Sequence, residues 1–218
     1  MENVLRTYYQ KHREQIDRFD GLLVNNTVLE RGLVIAPVIV AANTAQNGLI
    51  LGLSFILITF FGVLLASFVP KKLPYAIRVI LYVVLACLLY IPVSYLMNLM
   101  FPDSVYKVGI FLPLLVTNSL IVTKTETRFL KMKRLNMMLD VFCHTVGFFL
   151  VIVTVGMLRE IFGNGSFFGN ELNMPGKIYA FMLPFGGFIV LGFLAAAVQR
   201  FRIYLHGGET DQKKGGNR

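Results

Sequence analysis

Few side chains in this chain are equipped for chemistry. Cys143 and His144 stand side by side, one helical turn after Asp140, and Arg159-Glu160 closes the same apolar run. A thiol and an imidazole can both ligate a metal, but a protein site needs three or four converging donors. His144 therefore reads as a buried histidine bonded to a neighbour. Asp140 reads as an interfacial residue paired with the basic loop before it; placed deeper, it would be a candidate for an ion path. Arg159 and Glu160 are expected at the outer interface, paired with each other. Gly163-Asn164-Gly165 then supplies residues that tolerate positive φ and stop a helix sharply. The chain holds two cysteines, Cys87 and Cys143, each inside an apolar segment. They suggest packed core residues, with no disulfide framework. No nucleophile–base pair, phosphate loop or set of convergent carboxylates emerges, so no catalytic residue and no metal site is assigned.

A second group of polar residues sits beside prolines. Gly32 to Asn43 runs glycine, apolar residues, Pro37, apolar residues, asparagine. Gly109 to Asn118 repeats that order around Pro113 and ends on Thr117-Asn118. A proline removes a backbone donor, and in hydrocarbon every freed backbone group must find a partner inside the protein. Asn43, Thr117 and Asn118 either satisfy that interrupted backbone or line a site where two repeats meet. Pro-interrupted segments at matching positions of two halves point to an inverted repeat.

The elements that must position these residues are membrane helices. Of 218 residues, 56% are hydrophobic and 15% are charged, against about 25% charged in soluble domains. Six apolar segments cover 28–43, 47–69, 74–98, 107–123, 136–160 and 177–203. A span needs about 20 helical residues; the second, third, fifth and sixth are long enough alone, and the short first and fourth carry the prolines. Leu183-Pro184-Phe185-Gly186-Gly187 is expected to break the sixth. Eighteen of the 21 basic residues fall at the termini and in the loops after the second and fourth segments. That bias puts both termini in the cytoplasm and argues against nucleic acid as the target of the net charge of +9. Residues 1–26 read as a cytoplasmic amphipathic segment or solvated tail, 27–204 as a six-helix membrane domain, and 205–218 as a disordered cytoplasmic tail. The fold class is an all-α integral membrane protein, with six transmembrane helices in two inverted three-helix repeats whose first and fourth helices are broken.

These residues resemble the Rnf/Nqr small membrane subunits, in particular the E-type subunit of Rnf (Rsx), the counterpart of the D-type subunit of Nqr. The likeness covers about residues 22 to 200. Its carriers are Asn25-Asn26 with Val28-Leu29, Gly48-Leu49 with Gly52-Leu53, Ile77-Arg78, Gly109 to Pro113 with Thr117-Asn118, and Leu183-Pro184 with Gly186. The most specific is Leu158-Arg159-Glu160-Ile161 with Gly163-Asn164-Gly165. The resemblance implies an ion-translocating electron transport complex in a bacterial inner membrane, with a sister A-type subunit as partner. It also implies a [2Fe-2S] cluster held by two cysteines from each subunit, one per broken segment. In this sequence those two positions are Ala36 and Ser119. Cys87 and Cys143 read as roughly 20 Å and 10 Å deep from the same side, too far apart to replace them. The chain is therefore expected to ligate no cluster. Two other readings of the same scaffold are a transporter or ion path without electron transfer, and a subunit that only positions its partners.

Overall fold

A computed structural model describes residues 34–70, 72–102, 104–118, 121–122, 125–126, 134–171 and 177–206. The proposed amphipathic segment 1–26, Ser119, the loop 127–133 and residues 207–218 lie outside them.

The core is an antiparallel helix pair. Helix α1 (Ala45–Ala66) and helix α5 (Arg134–Arg159) make the most extensive contact in the molecule. Successive contacts run up the numbering of α1 and down that of α5. A Cβ on Gly156 would meet the Thr44 carbonyl oxygen at 2.6 Å, one on Gly48 the Ile152 oxygen at 2.9 Å, and one on Gly52 the Phe149 ring at 2.6 Å. Glycine at these three places lets the backbones touch, the small-residue packing that joins helices where lipid and side chain are equally apolar. Further along, Phe55 and Phe148 stack with centroids 3.9 Å apart, and Phe60 meets Phe142 edge-on at 6.2 Å.

Helix α1 starts where it does because Thr44 is extended (φ −129°, ψ 158°) and its Oγ1 accepts the Asn47 N–H at 3.2 Å, an ordinary N-cap. Helix α2 (Tyr75–Met100) packs on α1 but stays peripheral, with Ile80, Val84, Leu88, Ile91, Tyr95 and Leu99 all exposed. Residues 104–117 form three short pieces: α3 (Ser104–Val108), α4 (Phe111–Leu114) and a 3-10 turn (Leu115–Thr117).

Three described helices are long and apolar enough to span a bilayer: Ala45–Ala66, Tyr75–Met100 and Met137–Asn164. The sixth segment is broken at Leu183-Pro184, as expected, but its apolar helix is shorter than expected. A 3-10 turn (Tyr179–Met182) precedes helix α6 (Pro184–His206), whose apolar part is Pro184–Arg200. Pro184 opens this helix just after the extended Leu183, since the first helical position needs no N–H and suits a fixed φ. Pro37 likewise opens a π turn (Pro37–Ala41), and Pro113 sits inside α4. The breaks of the first and fourth segments lie away from their prolines, at Ala42–Thr44, at Gly109 (φ +55°) and at Asn118.

Candidate functional site

The break between the π turn and α1 is held by the last residue of α5 and the one after it. Arg159 is fully buried. Its guanidinium donates all five of its hydrogen bonds to backbone carbonyls: Nη1 to Ile39 (2.7 Å) and Ala42 (2.9 Å), Nε to Phe181 (2.9 Å), and Nη2 to Met182 (2.9 Å) and Leu183 (3.1 Å). A guanidinium has five N–H groups, so the set is complete. Carbonyls at the ends of short helical pieces have no intrahelical donor, and they carry the negative end of the helix dipole. One cation thus closes two such ends, that of the π turn and that of the 3-10 turn before α6.

Glu160 does the converse. Its Oε2 accepts the Ala45 N–H at 2.8 Å, the first donor of α1, where a negative charge suits the helix N-terminus. Its Oε1 accepts the Ser166 hydroxyl (3.2 Å) and the Gly169 N–H (2.9 Å). Both of these donors come from a small hairpin, β1 (Ser166–Phe167) paired with β2 (Asn170–Glu171), that turns through Phe168 (φ 52°) and Gly169 (φ 80°). Sequence alone pairs the two charges with each other at the outer interface. Both are instead buried, and each serves backbone groups on opposite sides of one break. The glycines next in line divide the labour. Gly165 (φ 63°) ends the π turn Glu160–Asn164 in the left-handed region, whereas Gly163 lets Met182 approach; a Cβ there would lie 2.8 Å from its Cγ.

The polar residues of the two proline segments do not come together. Asn43 Oδ1 accepts from Asn47 Nδ2 at 2.8 Å, beside the start of α1. Asn118 donates to Thr59 Oγ1 (3.0 Å) and the Leu115 carbonyl (2.9 Å), and accepts the Ile121 N–H (3.1 Å). Thr59 is 14 residues beyond Ala45, roughly 20 Å along the helix. Asn118 therefore repairs broken backbone and anchors it to the far end of α1. Thr117 is exposed and its hydroxyl donates to Leu114 in its own turn.

Asp140 Oδ1 lies 3.6 Å from Nε2 of the buried His144. Cys143 is buried, but Cys87 is exposed on peripheral α2, which corrects the expectation that both are packed in the core. Ala36 is exposed, just before buried Pro37. A further cluster was missed from sequence: Glu126 accepts from Arg78 Nη2 (2.8 Å) and the hydroxyl of buried Tyr82 (2.9 Å). A lone acid in the strongly basic stretch 124–134 was the available signal.

A family model described as "Rnf-Nqr subunit, membrane protein" matches residues 17–195. A protein of Aliivibrio fischeri (strain MJ11), named as the E-type subunit of an ion-translocating oxidoreductase complex, is 32% identical over 200 residues, 85% of this chain and 87% of that protein. The protein of the same name from Pasteurella multocida is 30% identical over 193 residues (82% and 86%). That from Vibrio cholerae strain O395 is 32% identical over 193 (82% and 84%).

Proposed function

The chain belongs to the Rnf-Nqr family of membrane proteins, and we propose that it is the E-type membrane subunit of an ion-translocating oxidoreductase complex. It would sit in a bacterial inner membrane beside a sister A-type subunit, as six spans in two inverted three-helix repeats with both termini cytoplasmic. The antiparallel packing of α1 on α5 carries this reading. These are the second and fifth apolar segments, and two inverted three-helix repeats require that equivalent pair to run in opposite directions. Short pieces in both 34–44 and 104–117 add support. The exposed Ala36, just before the π turn, and Val40 within it leave part of a broken segment open to a protein neighbour, which its backbone prefers over lipid.

The residues present do not fit the [2Fe-2S] cluster that the resemblance implies. Such clusters are held by thiolates, with imidazole the usual exception. Ala36 offers a methyl group and position 119 a serine hydroxyl. Cys87 faces outward from α2, while Cys143 is packed within α5. The subunit proposed here therefore holds a place in the complex without supplying cluster ligands. Anaerobic purification through a tag on this chain tests both halves. A second small membrane subunit of the family should accompany it, and the Ala36→Cys, Ser119→Cys double variant should gain a reduced [2Fe-2S] signal by low-temperature EPR. A stable lone subunit refutes the pairing. A wild-type cluster signal lost on changing Cys87 or Cys143 refutes the missing-ligand reading.

A further inference from the structure

The hairpin that follows α5 carries two phenylalanines at its turn. Ser166 pairs with Glu171 and Phe167 with Asn170, so Phe168 and Gly169 form a two-residue loop. Both have positive φ (52° and 80°), the pattern of a type I′ turn, which favours Asn-Gly. A bulky residue in the first of these places is a backbone outlier, and such outliers cluster at functional places. The Phe167 and Phe168 rings meet edge-on with centroids 5.1 Å apart, yet the two residues remain 40% and 44% exposed. A Cβ on Gly169 would meet nothing within 4 Å, so the tip is clear of the rest of the described chain. Nor can the pair fold away. Glu160 accepts from Ser166 before the turn and from Gly169 within it, which ties the hairpin to the buried clamp.

We infer that this hairpin inserts its two rings into the phospholipid interface of the bilayer, beside the end of α5. Depth argues for lipid. The apolar span that includes α5 runs from Met137 to Asn164, and β1 begins at Ser166, so the rings sit where hydrocarbon gives way to headgroups. The neighbouring connections at this end present the same kind of surface. Tyr106 on α3 and Tyr179 in the turn before α6 are both exposed, and aromatic side chains concentrate at that level of a membrane protein. Charge agrees with depth. Lys107, exposed and next to Tyr106, lines the same cleft as Gly169 of the hairpin, and a lysine near the membrane surface attracts anionic headgroups. Two rings held out in water gain nothing from their strained turn, whereas the interface removes their apolar surface from water. The leaflet is the outer one under the six-span topology proposed above; contact with lipid depends neither on that topology nor on the sister subunit.

The chain has no tryptophan, so one introduced residue reports alone. The test places Phe168→Trp, as the full chain with any subunits that accompany it, in nanodiscs and subtracts the emission of the wild-type preparation. The lipid is phosphatidylcholine brominated either near the carbonyl end or near the tail of its acyl chains. Emission should be quenched strongly by shallow bromine, less by deep bromine and only weakly by aqueous acrylamide. Brominated phosphatidylglycerol at the same fraction should quench more than phosphatidylcholine, and Lys107→Gln should remove up to about fivefold of that preference. Phe167→Trp, outside the positive-φ turn, repeats the measurement if Phe168→Trp does not fold. Quenching by acrylamide but not by bromine would put the tip in water, and quenching by neither would put it against a protein neighbour. Either result, or strongest quenching by deep bromine, would overturn the assignment. A headgroup preference unchanged in Lys107→Gln would overturn the role given to Lys107. None of these results would alter which subunits co-purify, so the subunit reading fails or stands separately.

Discussion

Replacing Arg159 by methionine keeps most of the side-chain volume and removes every donor. Five carbonyls then lose their partner inside the protein. An unsatisfied buried acceptor costs about 1 kcal/mol at the low end of the usual range, so the loss approaches ~5 kcal/mol. The variant no longer desolvates a guanidinium, and that recovery is worth a few kcal/mol. The net expectation is a loss of about 3 kcal/mol, or roughly a hundredfold in the folded-to-unfolded ratio. Arg159→Lys separates charge from geometry. Lysine keeps the cation but has three donors on one nitrogen, and it cannot span carbonyls on the π turn and on the turn before α6 at once. Unfolding in mixed micelles, followed by circular dichroism against increasing denaturing detergent, should rank the proteins as wild type, Arg159→Lys, Arg159→Met. Equality of wild type and Arg159→Lys would mean that charge alone matters, and the five-carbonyl argument would fail. A methionine variant within ~0.5 kcal/mol of wild type, the scatter of neutral substitutions, would show that these carbonyls find other partners.

Two further outcomes follow from packing and charge. Gly156→Ala places a Cβ 2.6 Å from the Thr44 carbonyl oxygen, a backbone atom that cannot swing aside, so thermal unfolding should show a loss of about 1–3 kcal/mol; Gly192→Ala, with nothing within 4 Å, should be neutral or gain up to ~1 kcal/mol, and the reverse order would refute close packing of α1 on α5. Reporter fusions after Arg134 and at the C-terminus should report cytoplasm and one at Asn170 the opposite side, as the basic loops predict; a cytoplasmic signal at Asn170 would end the six-span reading.

What could be read from the sequence was the membrane class, the family resemblance and the approximate limits of the long helices. The prolines drew attention to the correct segments; at Leu183-Pro184 the break is where the sequence put it, whereas around Pro37 and Pro113 it lies several residues away. Pro37 and Pro184 begin helical pieces, because a missing N–H is harmless at a helix start. The break after the π turn was readable in another way, since Thr44 just before an apolar run is an N-cap candidate. Gly48 and Gly52 announced a close helix contact, but nothing local named α5 as the partner. Arg159 was the hardest case. Its bonds to Ile39 and Ala42 span 120 and 117 residues. A neighbouring glutamate made an ion pair the simplest expectation, and only the fold shows that two helix ends of opposite polarity lie closer to hand.

That arrangement bears on the choice between a fixed subunit and a moving transporter. Transporters built from inverted repeats rock one bundle against another, with broken helices at the pivot. Here the π turn, the start of α1 and the turn before α6 are all tied to Arg159 and Glu160, where α5 ends. Shifting any of the three by one turn, ~5.4 Å, would strip buried polar groups of partners that nothing else among the described residues supplies. A break closed by a cation on one side and an anion on the other holds its geometry without needing a substrate to complete it. The exposed Ala36, just before the π turn, and Val40 within it then form a fixed surface. A surface of that kind suits a permanent neighbour better than a gate, and it stays in place whether or not cysteine stands at position 36.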